Sequence, residues 1–373
     1  MSRLRILLDY RPALRARTGV GEYAHEIAAA LARQPSSDAT VMLFSSSWKD
    51  RLAAGAVGGA AVVDARVPVR LLNAAWHRLE WPPIERFAGP VDVAQSLHPL
   101  LMPARSAAQV VTIHDLDFLD HPERTRGEIR RDYPALAPAH ARRADLVVTV
   151  SQFTASEIER RLGVARDRIV VCAPGAPAWT PRAAAAPGGP ILFMGTLEPR
   201  KNVGTLIEAY ARLLEQQPDA PPLWLAGGAT AAAEPWLQAI ARPPLAGHVR
   251  HLGYIASDRR YDLYAQASML VLPSHLEGFG MPVLEAMTIG VPVIVSRRGA
   301  LPEVAGGAGQ VIDPESADDL AAAMQAFLTH PDRAAAAVEL GLLRAKQFSW
   351  DASAATLRRA YDAAVARRRT RQP

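Results

Sequence analysis

The chain alternates short apolar runs with helix-like segments along its whole length, and it does so in two series. The first series holds "LRILLDY", "ATVMLFS", "VDVAQS", "QVVTIHD", "DLVVTVS" and "RIVVCAP". The second holds "PILFMGT", "PLWLAGG", "HVRHLGY", "SMLVLPS" and "VPVIVS". Apolar runs this short, separated by segments long enough for helices, are the signature of parallel strands covered on both faces. The pattern predicts an α/β protein with doubly wound parallel sheets. Between the two series, "APGAPAWTPRAAAAPGGP" (173–190) concentrates Pro, Gly and Ala and reads as a linker. At 373 residues the chain is long for one core. The expected division is an N-terminal domain over 1–175, a linker over 176–189, a second domain over 190–348, and a C-terminal helix over 349–373, which packs back on the first domain in one reading. Two such domains would face each other across a cleft at the carboxyl ends of their strands, where open α/β sheets bind ligands.

Charge and cysteine content narrow the setting. A net charge of +5 raises nucleic acid or an anionic membrane as partners, but most arginines are scattered. The densest cluster, "ARRRTRQP", closes the chain and reads as a solvated, frayed tail, with weak attraction for acidic lipid headgroups as the alternative. No helix-turn-helix, zinc-finger or aromatic-basic pattern accompanies it, so no nucleic-acid partner is expected. The single cysteine, Cys172, reads as a small buried hydrophobe in a reducing compartment. That favours a cytoplasmic protein, or one peripheral at the inner face of the membrane. No run of about 18 apolar residues occurs, and "MSRLRILLDYRP" moves directly into a strand, so neither a membrane span nor a signal peptide is expected.

Chemistry concentrates at a few loops. In "PSHLEGFGMPVLEAMTIGVPVIVS", Glu277 lies in the loop leaving a strand and Glu285 early in the next helix. Gly278, Phe279, Gly280, Met281, Pro282 and Val283 form the turn and helix start between them, a geometry that offers backbone N–H groups to an anion. In "PILFMGTLEPRKNVGTLIEAY", Arg200 and Lys201 precede a helix, where the dipole disfavours cations; a bound phosphate would offset that cost. "RTGVGEYAHEIAAAL" places Gly19, Gly21 and Ala24 in a loose dinucleotide pattern, but it does not follow its strand directly and no acidic residue closes the next strand. A nicotinamide cofactor is therefore rejected, and a flexible glycine loop at a helix start or a simple turn remains. His114 follows "QVVTI" at a strand end, as a packed histidine or a functional one. No Cys or His pair has ligand spacing, and Asp115 and Asp117 in "DLDF" form only a weak cation-site pattern, so no metal and no cofactor are expected.

Taken together, "EGFGMPVLEAM", "GTLEPRKN" and "TGVGEY" resemble the retaining glycosyltransferases of family 4, and "ALPEVAGGAGQVIDP", "FSWDASAATL" and "HDLDFLDHPE" fit the same pattern. The likeness covers nearly the whole chain; Met281 stands where Leu is usual, and "TIG" where "ACG" is common. It implies the GT-B fold, with two Rossmann-like domains facing across a cleft, and metal-independent transfer. The resemblance is closest to bacterial mannosyltransferases that use GDP-mannose in polysaccharide biosynthesis. It further implies that Glu285 binds the ribose, Glu277 faces the donor sugar, and the amides of Phe279 to Val283 hold sugar hydroxyls and diphosphate. Arg200 and Lys201 would bind the diphosphate, His114 would approach the sugar, and the Gly19–Gly21 loop would close over the phosphates. The implied partners are a nucleoside-diphosphate sugar and a saccharide or lipid-linked acceptor. A nucleotide-sugar epimerase or a phosphorylase of the same fold, and a non-catalytic membrane- or nucleic-acid-binding protein, are the competing readings. The stretch "RVPVRLLNAAWHRLEWPPIERF" is either a helix core face or a lipid-acceptor ridge.

Overall fold

The computed structural model describes residues 3–371 except 15, 16, 18, 35–38, 126, 185 and 187. Thr18 of the Thr-Gly-Val-Gly-Glu-Tyr stretch, two linker positions and the extreme ends of the chain lie outside the described residues. The chain divides into two compact units, 1–175 with 349–373, and 176–348.

The first unit holds seven parallel strands: β1 (Leu4–Asp9), β2 (Ala39–Ser45), β3 (Ala61–Asp64), β4 (Val93–Ser96), β5 (Ala108–Ile113), β6 (Leu146–Thr149) and β7 (Ile169–Val171). Their order is β3-β2-β1-β4-β5-β6-β7. The second unit holds six, β8 (Ile191–Met194), β9 (Leu223–Ala226), β10 (Val249–Gly253), β11 (Met269–Leu272), β12 (Val293–Ser296) and β13 (Gln310–Ile312), ordered β10-β9-β8-β11-β12-β13. Each sheet begins at its centre, winds to one edge and returns to wind to the other. The reversal leaves a switch point between β1 and β4 in one sheet and between β8 and β11 in the other, where such sheets bind ligands.

The central strands explain why the apolar runs were legible. Every residue of β5, β8, β11 and β12 is buried, and each buried Val, Leu or Ile contributes about 1.5–3 kcal/mol. The alternation did not reveal β3 and β13. Both are edge strands, short and partly exposed, so their sequences need no continuous apolar run.

The C-terminal helix, Trp350–Arg371, belongs to the first unit. Tyr361 is fully buried and its hydroxyl donates to Gln95 Oε1, while Gln95 Nε2 donates to Thr112 Oγ1 at 2.9 Å. Gly175 lets the helix start approach: a Cβ there would lie 2.2 Å from the Trp350 nitrogen. The basic tail, expected to be frayed, is instead helical through Arg371. Arg367 pairs with Asp167 at 2.7 Å, Arg368 donates to the Arg105 carbonyl at 2.9 Å and Arg371 reaches Asp145 at 3.4 Å. These internal acceptors are distant in sequence, which is why the tail looked unpartnered. In the helix Val69–Leu79, Leu72 and Trp76 join the core, whereas Leu71 and Leu79 are exposed. Among the described residues no helix is long and apolar enough to cross a membrane.

Candidate active site

In the second unit the loops leaving β8 and β11 flank the switch point, and they carry Arg200, Lys201 and Glu277. Asn202 fixes the first loop. It adopts a left-handed conformation (φ 57°), which Asn tolerates, and its Nδ2 donates to the carbonyls of Pro273 (3.2 Å) and Pro314 (2.7 Å). The turn Pro199–Lys201 is thereby tied to the exit of β11. Lys201 Nζ sits 2.5 Å from Glu277 Oε1. Arg200 Nη1 lies 3.3 Å from Glu277 Oε2 and donates to the Leu276 carbonyl at 2.8 Å, and its Nη2 meets Glu198 at 2.9 Å. The Ser274 hydroxyl donates to Glu277 Oε1 at 2.7 Å. Burial would raise the Glu277 carboxyl, but Lys201 and Arg200 outweigh it and hold the group below the usual range. The two cations therefore have carboxylate partners within the protein, so a bound phosphate is not needed to explain them. Gly299 presses on the same loop. With φ at +66°, a Cβ there would lie 2.8 Å from both the nitrogen and the oxygen of Glu277.

The helix Met281–Ile289 starts at Gly280 (φ +108°) without a side-chain cap. Its positive dipole end is left for an anion. Pro282 has no N–H, and the Val283 N–H already donates to Gly280 at 2.9 Å, so the run from Phe279 to Val283 is not uniformly available. Phe279, Gly280 and Met281 carry the remaining amides, and Phe279 is braced edge-on against Phe348 at 5.5 Å. One turn further on, the buried Glu285 accepts from the Tyr264 hydroxyl at 2.7 Å and pairs with Arg260 at 3.1 Å. Burial, reinforced by the Glu285 charge, pushes the Tyr264 phenol well above its ordinary value. Arg260 and Tyr264 were not singled out from sequence. Their spacing of four on the helix Ser257–Gln266 puts them on one face, the one available signal. Ser274 and Gly299 gave none.

The first unit carries a different set. Asp9, fully buried at the end of β1, binds Arg11 through both oxygens (2.8 and 2.6 Å) and lies 3.1 Å from His98 Nε2. Burial opposes its ionisation, but Arg11 and His98 hold the carboxyl far below its ordinary value. Sequence reasoning missed this trio, although Asp9 ends β1 and His98 follows β4, the strands that flank the switch point. His114 follows β5, its Nε2 lies 3.3 Å from the Leu97 carbonyl, and its ring meets Tyr23 edge-on at 5.0 Å. Burial lowers its pKa. Tyr23 comes from the helix Gly19–Arg33, so Gly19 and Gly21 belong to a helix's first turn rather than to a separate loop. The reason at Gly21 is packing: a Cβ there would meet the Pro12 carbonyl at 2.8 Å, whereas at Gly19 it would meet nothing within 4 Å among the described residues. The structure thus brings Arg200, Lys201 and Glu277 into one cluster. It gives Glu285 separate partners and joins His114 to the glycine-started helix through Tyr23.

Two parallel doubly wound sheets of this order form the GT-B architecture, as comparison with solved structures shows. Sucrose-phosphate synthase from Thermosynechococcus elongatus aligns with a TM-score of 0.75 over 96% of this chain and 98% of its own, at 19% identity. A model of glycosyl transferases group 1 matches residues 187–341, and one of glycosyltransferase family 4 matches residues 17–178. The O-antigen chain mannosyltransferase B of Escherichia coli is 36% identical over 262 residues, 67% of this chain and 69% of that protein. A D-inositol 3-phosphate glycosyltransferase of Rhodococcus jostii is 28% identical over 58% of this chain and 52% of its own. The chain belongs to the family 4, group 1 glycosyltransferases.

Proposed function

We propose that the chain is a retaining, metal-independent hexosyltransferase that moves mannose from GDP-mannose to a saccharide or lipid-linked acceptor. The carrying observation is the pair Arg200 and Lys201, held on Glu277 at the switch point beside an uncapped helix start. Cleavage of a sugar–diphosphate bond leaves negative charge on the diphosphate. Fixed cations and a helix dipole stabilise such charge without reorganisation, the role a divalent ion fills in other enzymes. In this reading Glu285 binds the ribose, Glu277 and His114 serve the transferred sugar, and the amides of Phe279, Gly280 and Met281 bind oxygen atoms of the donor. The mannosyl assignment is supported by the likeness to the O-antigen enzyme. A cytoplasmic location is supported by the buried Cys172, whose thiol burial pushes up to about 12.

The test is a panel of nucleotide sugars, with and without chelator, followed by release of nucleoside diphosphate and by the anomeric form of the product. GDP-mannose is expected to turn over fastest, chelator to leave the rate unchanged, and the anomeric configuration to be retained. Preference for a uridine donor would overturn the mannosyl assignment alone. No turnover with any donor would overturn the transferase reading.

A further inference from the structure

The first unit carries a second concentration of charge that the proposed reaction does not use. Around the loop entering β5, the end of the helix Gly127–Arg143 and the last turn of the C-terminal helix lies a cavity of about 570 Å³. Arg105, Arg142, Arg143, Arg368 and Arg371 line it, with Glu80 as the opposing carboxylate and Trp81, 58% exposed, in its wall. It lies at the amino-terminal edge of the sheet, since Gln109 near the start of β5 also lines it. Asp9, His98 and His114 follow the carboxyl ends of β1, β4 and β5, at the opposite edge.

Among the described residues, two of these arginines meet carboxylates and two meet neutral carbonyls. Arg143 binds Glu80 at 2.5 and 2.8 Å, and Arg371 shares Asp145 at 3.4 Å. Arg142 and Arg368 donate to neutral carbonyls, of Leu162 (3.3 Å) and Arg105 (2.9 Å). Arg368 Nε is shielded from solvent and has no acceptor among the described residues. Behind them Arg168 is destabilised in its charged form, by burial and then by the charges of Arg371 and Arg367. Arginines crowded this way repel one another unless an anion joins them, and guanidinium groups match phosphate oxygens two at a time. The volume falls within the range of small-molecule sites, and the exposed indole offers a flat apolar wall.

We propose that this cavity binds a small phosphate-bearing molecule, of the size of a sugar phosphate, and that the bound phosphate fastens the last turn of the C-terminal helix to the sheet edge. Glucose 6-phosphate is a suitable probe, because it carries a phosphomonoester and no nucleoside. Binding to the full chain is measured by calorimetry and by the rise in melting temperature. The Arg143→Ser/Arg371→Ser variant is expected to bind at least about tenfold more weakly, and Lys201→Met, altered at the proposed donor site, to bind as the parent does. Arg105→Ser, which leaves the Glu80 and Asp145 pairs intact, is expected to weaken binding as well, so loss of folding in the double variant does not decide the outcome. Loss of binding in Lys201→Met with retention in the arginine variants would assign the ligand to the donor site and overturn the proposal. Binding to phosphatidic acid vesicles without binding of the soluble probe would overturn it too, by making the cavity a headgroup site. Failure of the donor panel would leave this result unaffected, since the cavity does not depend on the transferase reading.

Discussion

The two units share one strand order and differ in the chemistry at their switch points. In the second unit ion pairs dominate: Lys201 and Arg200 meet Glu277, and Arg260 meets Glu285. In the first unit the ionised Asp9 with its Arg11 stands beside His98, and burial lowers the pKa of His114. Cationic side chains fixed on carboxylates suit a diphosphate, which is anionic across the neutral range. Neutral imidazoles suit hydroxyl groups, with which they exchange hydrogen bonds and protons. The same scaffold has thus been given a fixed-charge end and a titratable end.

The largest expected effect breaks the fixed-charge end. Lys201→Met should lower turnover by about 10²–10³, the usual loss when one preorganised donor to developing charge is removed. It also leaves the buried Glu277 with Arg200 as its remaining cation, so the melting temperature should fall. Adding Glu277→Gln to Lys201→Met should restore stability without restoring turnover. If the rate returns with the melting temperature, Lys201 is structural and the two switch points do not differ in this respect.

Within the second unit, the two glutamates divide binding from turnover. Glu285→Gln should weaken nucleoside-diphosphate binding by roughly ten- to a hundredfold, the worth of charge-assisted hydrogen bonds. Glu277→Gln should leave that affinity nearly intact and depress turnover. Tyr264→Phe removes one holder of Glu285 and should give a smaller loss of affinity. Calorimetry with GDP beside initial rates separates these outcomes. Equal effects on affinity and rate from both glutamates would remove the division of labour.

How much of this was legible follows from where the partners lie. The central strands were visible because burial on both faces demands apolar runs, and Glu277, Glu285, Arg200 and Lys201 because each sits beside a strand end or helix start in its own local sequence. The partner of each charge was not visible. Lys201 meets Glu277 across the switch point, and Gly299 meets Glu277 from the loop after β12. Neither contact leaves a local pattern. Gly21 read as part of a flexible loop or a simple turn for the same reason: the steric cause of a glycine in this first helical turn, the Pro12 carbonyl, belongs to the turn before the helix.

Acid should open the first unit before the second. A histidine whose folded pKa is lowered binds fewer protons when folded, so its contribution to stability is present above the ordinary 6.5 and is lost as pH falls towards the folded value. For His140, buried and accepting the Leu101 N–H at 2.9 Å, that window runs from 6.5 to about 4. The stake is on the order of 2–3 kcal/mol. Glu277, depressed below 4.5, keeps its contribution until pH falls below that value. Hydrogen exchange read peptide by peptide between pH 7 and 4 should show protection lost first in 1–175. Simultaneous loss in both units would erase the distinction.

The smallest effects come from single methyl groups, and they separate packing from chemistry in the two units. Gly21→Ala forces a Cβ against the Pro12 carbonyl at 2.8 Å and should cost about 1–3 kcal/mol of stability. Turnover per folded molecule should change little, because what shifts is the seating of a helix. Gly19→Ala meets no described residue within 4 Å and should be neutral, or stabilising by under about 1 kcal/mol. Gly299→Ala puts a Cβ 2.8 Å from the Glu277 backbone at a φ of +66°, so the strain falls on the residue assigned to the donor sugar. It should lower turnover more than its loss of melting temperature accounts for. The comparison breaks if Gly19→Ala slows the reaction without changing stability, for then the helix start of the first unit moves or binds during catalysis. It also breaks if Gly299→Ala unfolds the second unit without a separate effect on rate, for then Glu277 is held for the sake of the fold and not of the donor sugar.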